Sequence, residues 1–423
     1  MKDATEYDKR EITMKVNCIL LLAIICSVAP LHGTPVWEPC SPMPTARMDA
    51  ASATVHDTLY VVGGQSTAGI GEEIVLVDDV EAYVASTDEW ITGFPPIPVP
   101  MAAQAAAVLD GRIYLFGGVD ENGDVTRIVW HWKPGESSWR IAPLLLPIPL
   151  QGGAAIAAEN GGILIIGGIT SGGQYGSNVY RFIPGVGFNE EPSLEQERGR
   201  CGVGLSGEGI MAVGGYFHGP LSSTEVLDRG TWQPGPELPG ERGGHLICSV
   251  GGAVFAVGGQ GIELDNDGLL RSVVSLPPDG HFWVFMPPMD TPRTLLAGGV
   301  VADYLVAAGG LSDFEGQPNG WTERIAFATL ASNYDGAPKP SISVIAFPNP
   351  SQGQCTISAL FPRTDRWIVS LNDLTGREVF RKAGESEQLE LSLNPSMLST
   401  NGVYIINAIM RDSHASIPIT VIR

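Results

Sequence analysis

Five arginines and an aspartate stand at fixed distances from a repeated glycine pair. The pair closes an apolar run six times: LYVVGG ending at Gly64, IYLFGG at Gly118, ILIIGG at Gly168, IMAVGG at Gly215, VFAVGG at Gly259 and LVAAGG at Gly310. Sixteen residues before the first glycine of each pair lie Arg47, Met101, Gln151, Arg198, Arg242 and Arg293. Fourteen before it lie Asp49, Ala103, Gly153, Arg200, Gly244 and Leu295. A guanidinium is a planar fork of donors that grips a carboxylate with two parallel hydrogen bonds. Arg47, Arg198, Arg200, Arg242 and Arg293, with Asp49 beside them, are therefore the candidate ligand-binding set, suited to a carboxylate or an acidic sugar. The same groups could instead bind neighbouring backbone carbonyls and loop carboxylates, and the sequence leaves both readings open.

Other chemistry is thinly represented. Seven histidines, at 32, 56, 131, 218, 245, 281 and 414, fall at no metal-ligand spacing. The run Asp265-Asn266-Asp267-Gly268 starts like a calcium loop but lacks its later ligands and its closing Glu. There is no GxSxG, no P-loop and no paired-carboxylate pattern. No catalytic residue, metal or cofactor is assigned.

The elements that position the arginines follow from the repeat. Successive doublets are 54, 50, 47, 44 and 51 residues apart, and a large aromatic follows all but the last: Trp90, Trp139, Phe188, Trp232 and Trp283. Each unit has room for four short strands. In the second, AAAVL leads through an Asp110-Gly111 turn to RIYLFGG, then TRIVWHW, then SSWRIAPL. One small sheet cannot bury both faces alone, whereas several standing around an axis bury them against each other. The last unit lacks its outer strand. The segment before the first, VWEPCSPMPTAR, matches FWVFMPPMDTPR at the end of the fifth, so it is expected to complete the sixth sheet and close the ring.

Composition agrees. The 423 residues include 53 Gly and 32 Pro, with 44% hydrophobic and 17% charged. That excludes a disordered chain and a coiled coil. Between residues 34 and 338 acidic residues outnumber basic ones 35 to 13, which repels phosphate backbones and excludes nucleic acid as a partner.

The glycine doublet and the following aromatic resemble the kelch repeat, over about residues 34–333, although the usual tyrosine before the Trp is kept only at Tyr83 and is Trp132 in the second unit. The resemblance implies an all-β fold, a six-bladed kelch-like β-propeller. It also implies that the arginine edge and the loops after the doublets share one face around an axial channel.

Both chain ends read as addresses. Cys18–Val28, CILLLAIICSV, is an apolar run of signal-peptide length, so 1–33 is expected to be a signal peptide with translation starting at Met14. No other run is long enough to span a bilayer, so no transmembrane segment is expected in the mature chain. Cys40, Cys201, Cys248 and Cys355 would then remain, and Cys201 with Cys248 is one conceivable disulfide. Residues 334–341 form a linker, and 342–423 read as strands of a small β-sandwich. Pro348, Asn349, Pro350 and Gly353, then Asp373, Gly376 and Arg377, then Gly402 and Tyr404, resemble the C-terminal sorting domain of bacterial type IX secretion. That likeness implies the secretion machinery as a partner and a secreted or outer-surface location. The expected function is binding of a protein or carbohydrate at the loop face. The alternatives are a carbohydrate-active enzyme of the sialic acid mutarotase kind and a structural surface protein.

Overall fold

The computed structural model describes residues 37–67, 73–158, 161–263, 266–278, 280–313 and 317–327, and beyond them the strands 343–347, 355–360, 366–373, 378–385, 388–393, 402–410 and 413–421. The expected signal peptide lies outside the described residues. So do Pro348, Asn349, Pro350, Gly353, Gly376 and Arg377. No helix among the described residues is long and apolar enough to cross a membrane.

Six four-stranded antiparallel sheets follow one another, and each is a blade. Blade one is Ala51–Val55, Thr58–Val62, Val80–Val84 and Glu89–Ile91, from inner to outer strand. Blades two to five repeat this plan from Ala105, Ala154, Gly202 and Leu246. In blade six, Ala297–Val301, Tyr304–Ala308 and Thr322–Ala326 are joined on the outside by Glu38–Cys40. The last pair is antiparallel, with Glu38 opposite Arg324 and Cys40 opposite Thr322. The strand that precedes the first repeat thus belongs to the last blade. The inner strands touch in cyclic order, blade six against blade one included, so the ring is closed.

The apolar pattern follows from this arrangement. A second strand is covered on both sides by neighbouring blades, so it reads as an unbroken apolar run: Ile163–Ile166 is fully buried. Six hydrophobic clusters result, one between each adjacent pair of blades. The outer-strand tryptophans wedge into the same seams. Trp90, Trp139, Trp232 and Trp283 donate their indole N–H to the carbonyls of Ser41, Pro95, Pro192 and Pro236, each at 2.9–3.0 Å on the preceding blade. Trp37, on the closing strand, does the same to Pro287 at 2.9 Å. A buried indole thereby keeps its polar atom satisfied.

The doublet is explained by close approach. The second glycine of each pair donates its N–H to the next blade: Gly64 to Met101, Gly118 to Leu150, Gly168 to Arg198, Gly215 to Arg242, Gly259 to Arg293 and Gly310 to Arg47. The first glycine sits under the same carbonyl in the left-handed region. A Cβ on Gly117 would lie 2.0 Å from the Leu150 oxygen, and one on Gly258 2.6 Å from that of Arg293. Only glycine fits both the angle and the gap.

The C-terminal strands make two antiparallel sheets, one of Ser343–Phe347, Cys355–Leu360 and Gln388–Leu393, the other of Arg366–Asp373, Glu378–Glu385, Gly402–Met410 and Ser413–Val421. Asp373 pairs across the sheet with Tyr404, and Gly402 opens its strand. Cys40, Cys201 and Cys248 are free thiols, so the conceivable Cys201–Cys248 bridge is not formed. Cys248 instead packs between blades five and six.

A Gly117→Ala variant is expected to lose about 3 kcal/mol or more in urea denaturation, because backbone must move. Gly123→Ala, with the same φ sign but nothing within 4 Å, should lose only about 1 kcal/mol. Equal losses would show that close approach is not what the doublet serves.

Candidate functional site

The axis is lined by backbone before it is lined by side chains. Just before each inner strand one residue has φ between +46° and +61°: Asp49, Ala103, Gly152, Arg200, Gly244 and Leu295. Each donates its N–H to the carbonyl of the equivalent residue on the preceding blade. Asp49 bonds Leu295, Ala103 bonds Asp49, Gly152 bonds Ala103, Arg200 bonds Gly152, Gly244 bonds Arg200 and Leu295 bonds Gly244, at 2.6–3.0 Å. The six bonds close on themselves as a belt around the axis. In the third repeat the belt residue is Gly152, one place before the Gly153 that uniform spacing selects.

Arg200 and Asp49 are opposite members of this belt, on blades four and one. Arg200 reaches across the axis and binds both Asp49 carboxylate oxygens, Nη1 to Oδ1 at 2.6 Å and Nη2 to Oδ2 at 2.8 Å. This bidentate pair bars the channel mouth. The Asp49 charge raises the Arg200 pKa, outweighing the effect of burial. A quarter of the Arg200 side chain stays exposed. An axial cavity of about 200 Å³ lies against the pair, walled largely by Ala and Gly of the inner strands.

The other four arginines are placed differently. Arg47, Arg198, Arg242 and Arg293 are at most 1% exposed, so they present no surface to a ligand and do not join Arg200 at the mouth. Each points into its own blade and donates to the first glycine of that blade's doublet: Arg47 to Gly63, Arg198 to Gly214, Arg242 to Gly258 and Arg293 to Gly309. Its own carbonyl meanwhile accepts from the previous blade. Each arginine therefore staples two blades together.

Three of them also meet a buried carboxylate: Arg47 with Glu81 at 2.8 Å, Arg198 with Glu225 at 2.7 Å and Arg293 with Glu323 at 2.8 Å. Those carboxylates further accept from Thr45, from Glu195 and Gln196, and from Asp290, which cap the turn leading into the arginine. Arg242 also bonds the Ser272 hydroxyl. Burial lowers the Arg47 and Arg293 pKa values against the pull of Glu81 and Glu323. The glutamates escaped the sequence reading, yet a signal was there. Glu81, Glu225 and Glu323 are the second residue of the third strand, and blades two and three, which lack the arginine, carry Trp130 and Tyr180 at that place.

His245 follows the belt residue Gly244 and is buried. Desolvation, with Arg242 and Arg198 nearby, lowers its pKa to about 3, so it is neutral at physiological pH. Around the mouth the loops after the doublets stand up. Tyr175, Phe217 and His218 pack ring against ring at 4.5–5.9 Å between the loops of blades three and four. Ile74, Val75, Ile262 and Trp321, from the loops of blades one, five and six, are 43–53% exposed. Among the described residues no group of His, Cys, Asp and Glu could hold a metal ion.

Comparison with known proteins agrees with this architecture. The Kelch motif family model matches residues 46–93 and 100–143, and the model for a secretion system C-terminal sorting domain matches 345–421. Kelch-like protein terF of Aspergillus terreus is 25% identical over 315 residues, 68% of this chain and 67% of that one. Kelch-like protein 35 of Mus musculus is 30% identical over 161 residues, 38% of this chain and 26% of its own length. Alpha-scruin of Limulus polyphemus is 29% identical over 240 residues, 53% of this chain and 26% of that protein. The chain thus spans about a quarter of the last two relatives.

The neutral His245 sets an acid dependence. Below its ordinary value of 6.5 the unfolded chain takes up a proton that the folded chain refuses, so stability falls as pH drops from 6.5 towards 3. At pH 5 the loss should be about 2 kcal/mol. Urea midpoints of wild type and His245→Asn, compared at pH 7 and pH 5, should show a smaller drop in the variant. Parallel drops would exclude His245 as the source.

Proposed function

We propose that this chain, a kelch-repeat β-propeller with a C-terminal secretion sorting domain, is an exported binding module that docks a protein ligand on its loop face. The sorting domain accounts for export by a type IX route to the cell surface or beyond. The observation that carries the binding reading is the distribution of exposed apolar side chains. Ile74 and Val75 of blade one, Ile262 of blade five and Trp321 of blade six stand exposed on the face that carries the Arg200–Asp49 pair, and the half-buried rings of Tyr175 and Phe217 add to it from blades three and four. Apolar and aromatic side chains grouped with an arginine are the composition of interface hot spots. The backbone belt and the ion pair bar the centre, so the contact surface is the rim of loops rather than a deep channel. An enzyme reading needs a carboxylate or imidazole able to move a proton beside Arg200. Asp49 is already engaged with both oxygens, and burial beside Arg242 makes His245 a poor proton acceptor, so binding is preferred.

The test uses the secreted full-length chain as bait against outer-surface proteins of the cells that make it, followed by affinity measurement with the partner identified. Phe217→Ala and Ile262→Ser should each weaken that complex about tenfold or more, as hot-spot truncations do. Val186→Ser, at an exposed turn on the opposite face, should leave it unchanged. A complex lost in Val186→Ser and kept in both loop variants would overturn the reading.

A further inference from the structure

Trp321 differs from the other tryptophans whose surroundings are described. Trp37, Trp130, Trp132, Trp139, Trp232 and Trp283 are at most 8% exposed and fill the blade seams, and Trp90 is half-buried with its indole bonded to Ser41. Trp321 is 50% exposed, immediately before the third strand of blade six. It is one wall of a cavity of about 280 Å³ beside the closing strand, with Pro39 and Pro42 and the residues Asp290 and Thr291. The Asp290 backbone N–H is held by Glu323, which fixes the turn. Glu323, also in the lining, is neutralised by Arg293 at 2.8 Å. Asp290 itself is exposed and makes no ion pair among the described residues, so it supplies the uncompensated charge at the rim.

An aromatic face and two proline rings beside a single carboxylate form an environment for a cation with an apolar stem. The field of the molecule points the same way. The 35 acidic against 13 basic residues between 34 and 338 attract cations to this surface and repel anions. We infer that the Trp321–Asp290 cavity is a subsite for a lysine or arginine side chain of a basic partner segment. The cation lies over the indole, its methylenes run along Pro39 and Pro42, and its charge meets Asp290. This inference rests on the loop-face reading and adds the chemistry of the partner.

The probe is a capped Gly-Arg-Gly tripeptide, titrated against the full-length chain by NMR and by tryptophan fluorescence, with the neutral citrulline analogue alongside. Saturable binding of the arginine peptide, at least about tenfold tighter than the citrulline peptide, is expected. Trp321→Ala should abolish it, Trp321→Phe should restore part of it, and Asp290→Asn should weaken it about fivefold or more. Trp321→Ala leaves net charge untouched, so an arginine peptide that binds this variant as well as wild type is held by the general acidic field, and the subsite is overturned. Equal binding of the citrulline peptide, or preference of Trp321 for neutral lipid vesicles over the cationic peptide, overturns it too. A protein complex weakened by Phe217→Ala but indifferent to Trp321→Ala and Asp290→Asn would remove the subsite and leave loop-face docking intact.

Discussion

The structure depends on one closed loop of hydrogen bonds. Each blade lends a single left-handed residue to the axis, and each of these donates to its neighbour until the sixth bond returns to the first. The belt ties each blade to its two neighbours at the axis. It also fixes the height at which every inner strand begins. Ala103, Leu295, Asp49 and Arg200 adopt a backbone conformation that costs each about 1 kcal/mol, and the surrounding pairings hold them there. The glycine pairs and the buried arginines then repeat the same linkage one layer further out.

Two residue positions separate structural arginines from the one that faces solvent. At sixteen before the doublet, the side chain runs outward into its own blade, where glycine carbonyls and a glutamate receive it. At fourteen before, the side chain sits on a belt residue and points over the axis, as in Arg200. Removing one partner of a buried arginine–glutamate pair strands the other charge, which is why they come and go together in blades one, two, three, four and six. The pairs are therefore part of what holds neighbouring blades in register rather than part of a binding surface.

Much of this was legible in the sequence because a repeat compares itself. Six aligned doublets, five aligned aromatics and the likeness of VWEPCSPMPTAR to FWVFMPPMDTPR describe the blades and the closing strand. The candidate site was legible only in part. Residue type says that a guanidinium will seek oxygens, but burial decides whether those oxygens belong to a ligand or to the chain. Gly152 was missed because a single-residue shift in the third repeat breaks uniform counting. The Arg200–Asp49 bond joins residues 151 apart in sequence, and only the order of blades around the axis makes them opposite. Nothing in the sequence around Trp321 marks it as the one, among the tryptophans whose surroundings are described, left outside the seams.

The closing strand has a consequence for biogenesis. Blade six draws Glu38–Cys40 from the beginning of the propeller and Thr322–Ala326 from its end, so synthesis must run through the whole ring before its last sheet can form. Until then the growing polypeptide holds an unsealed set of sheets with apolar faces bare, a species prone to association with other chains. Sealing is therefore the final step in building the ring, and it joins residues more than 280 positions apart in the chain.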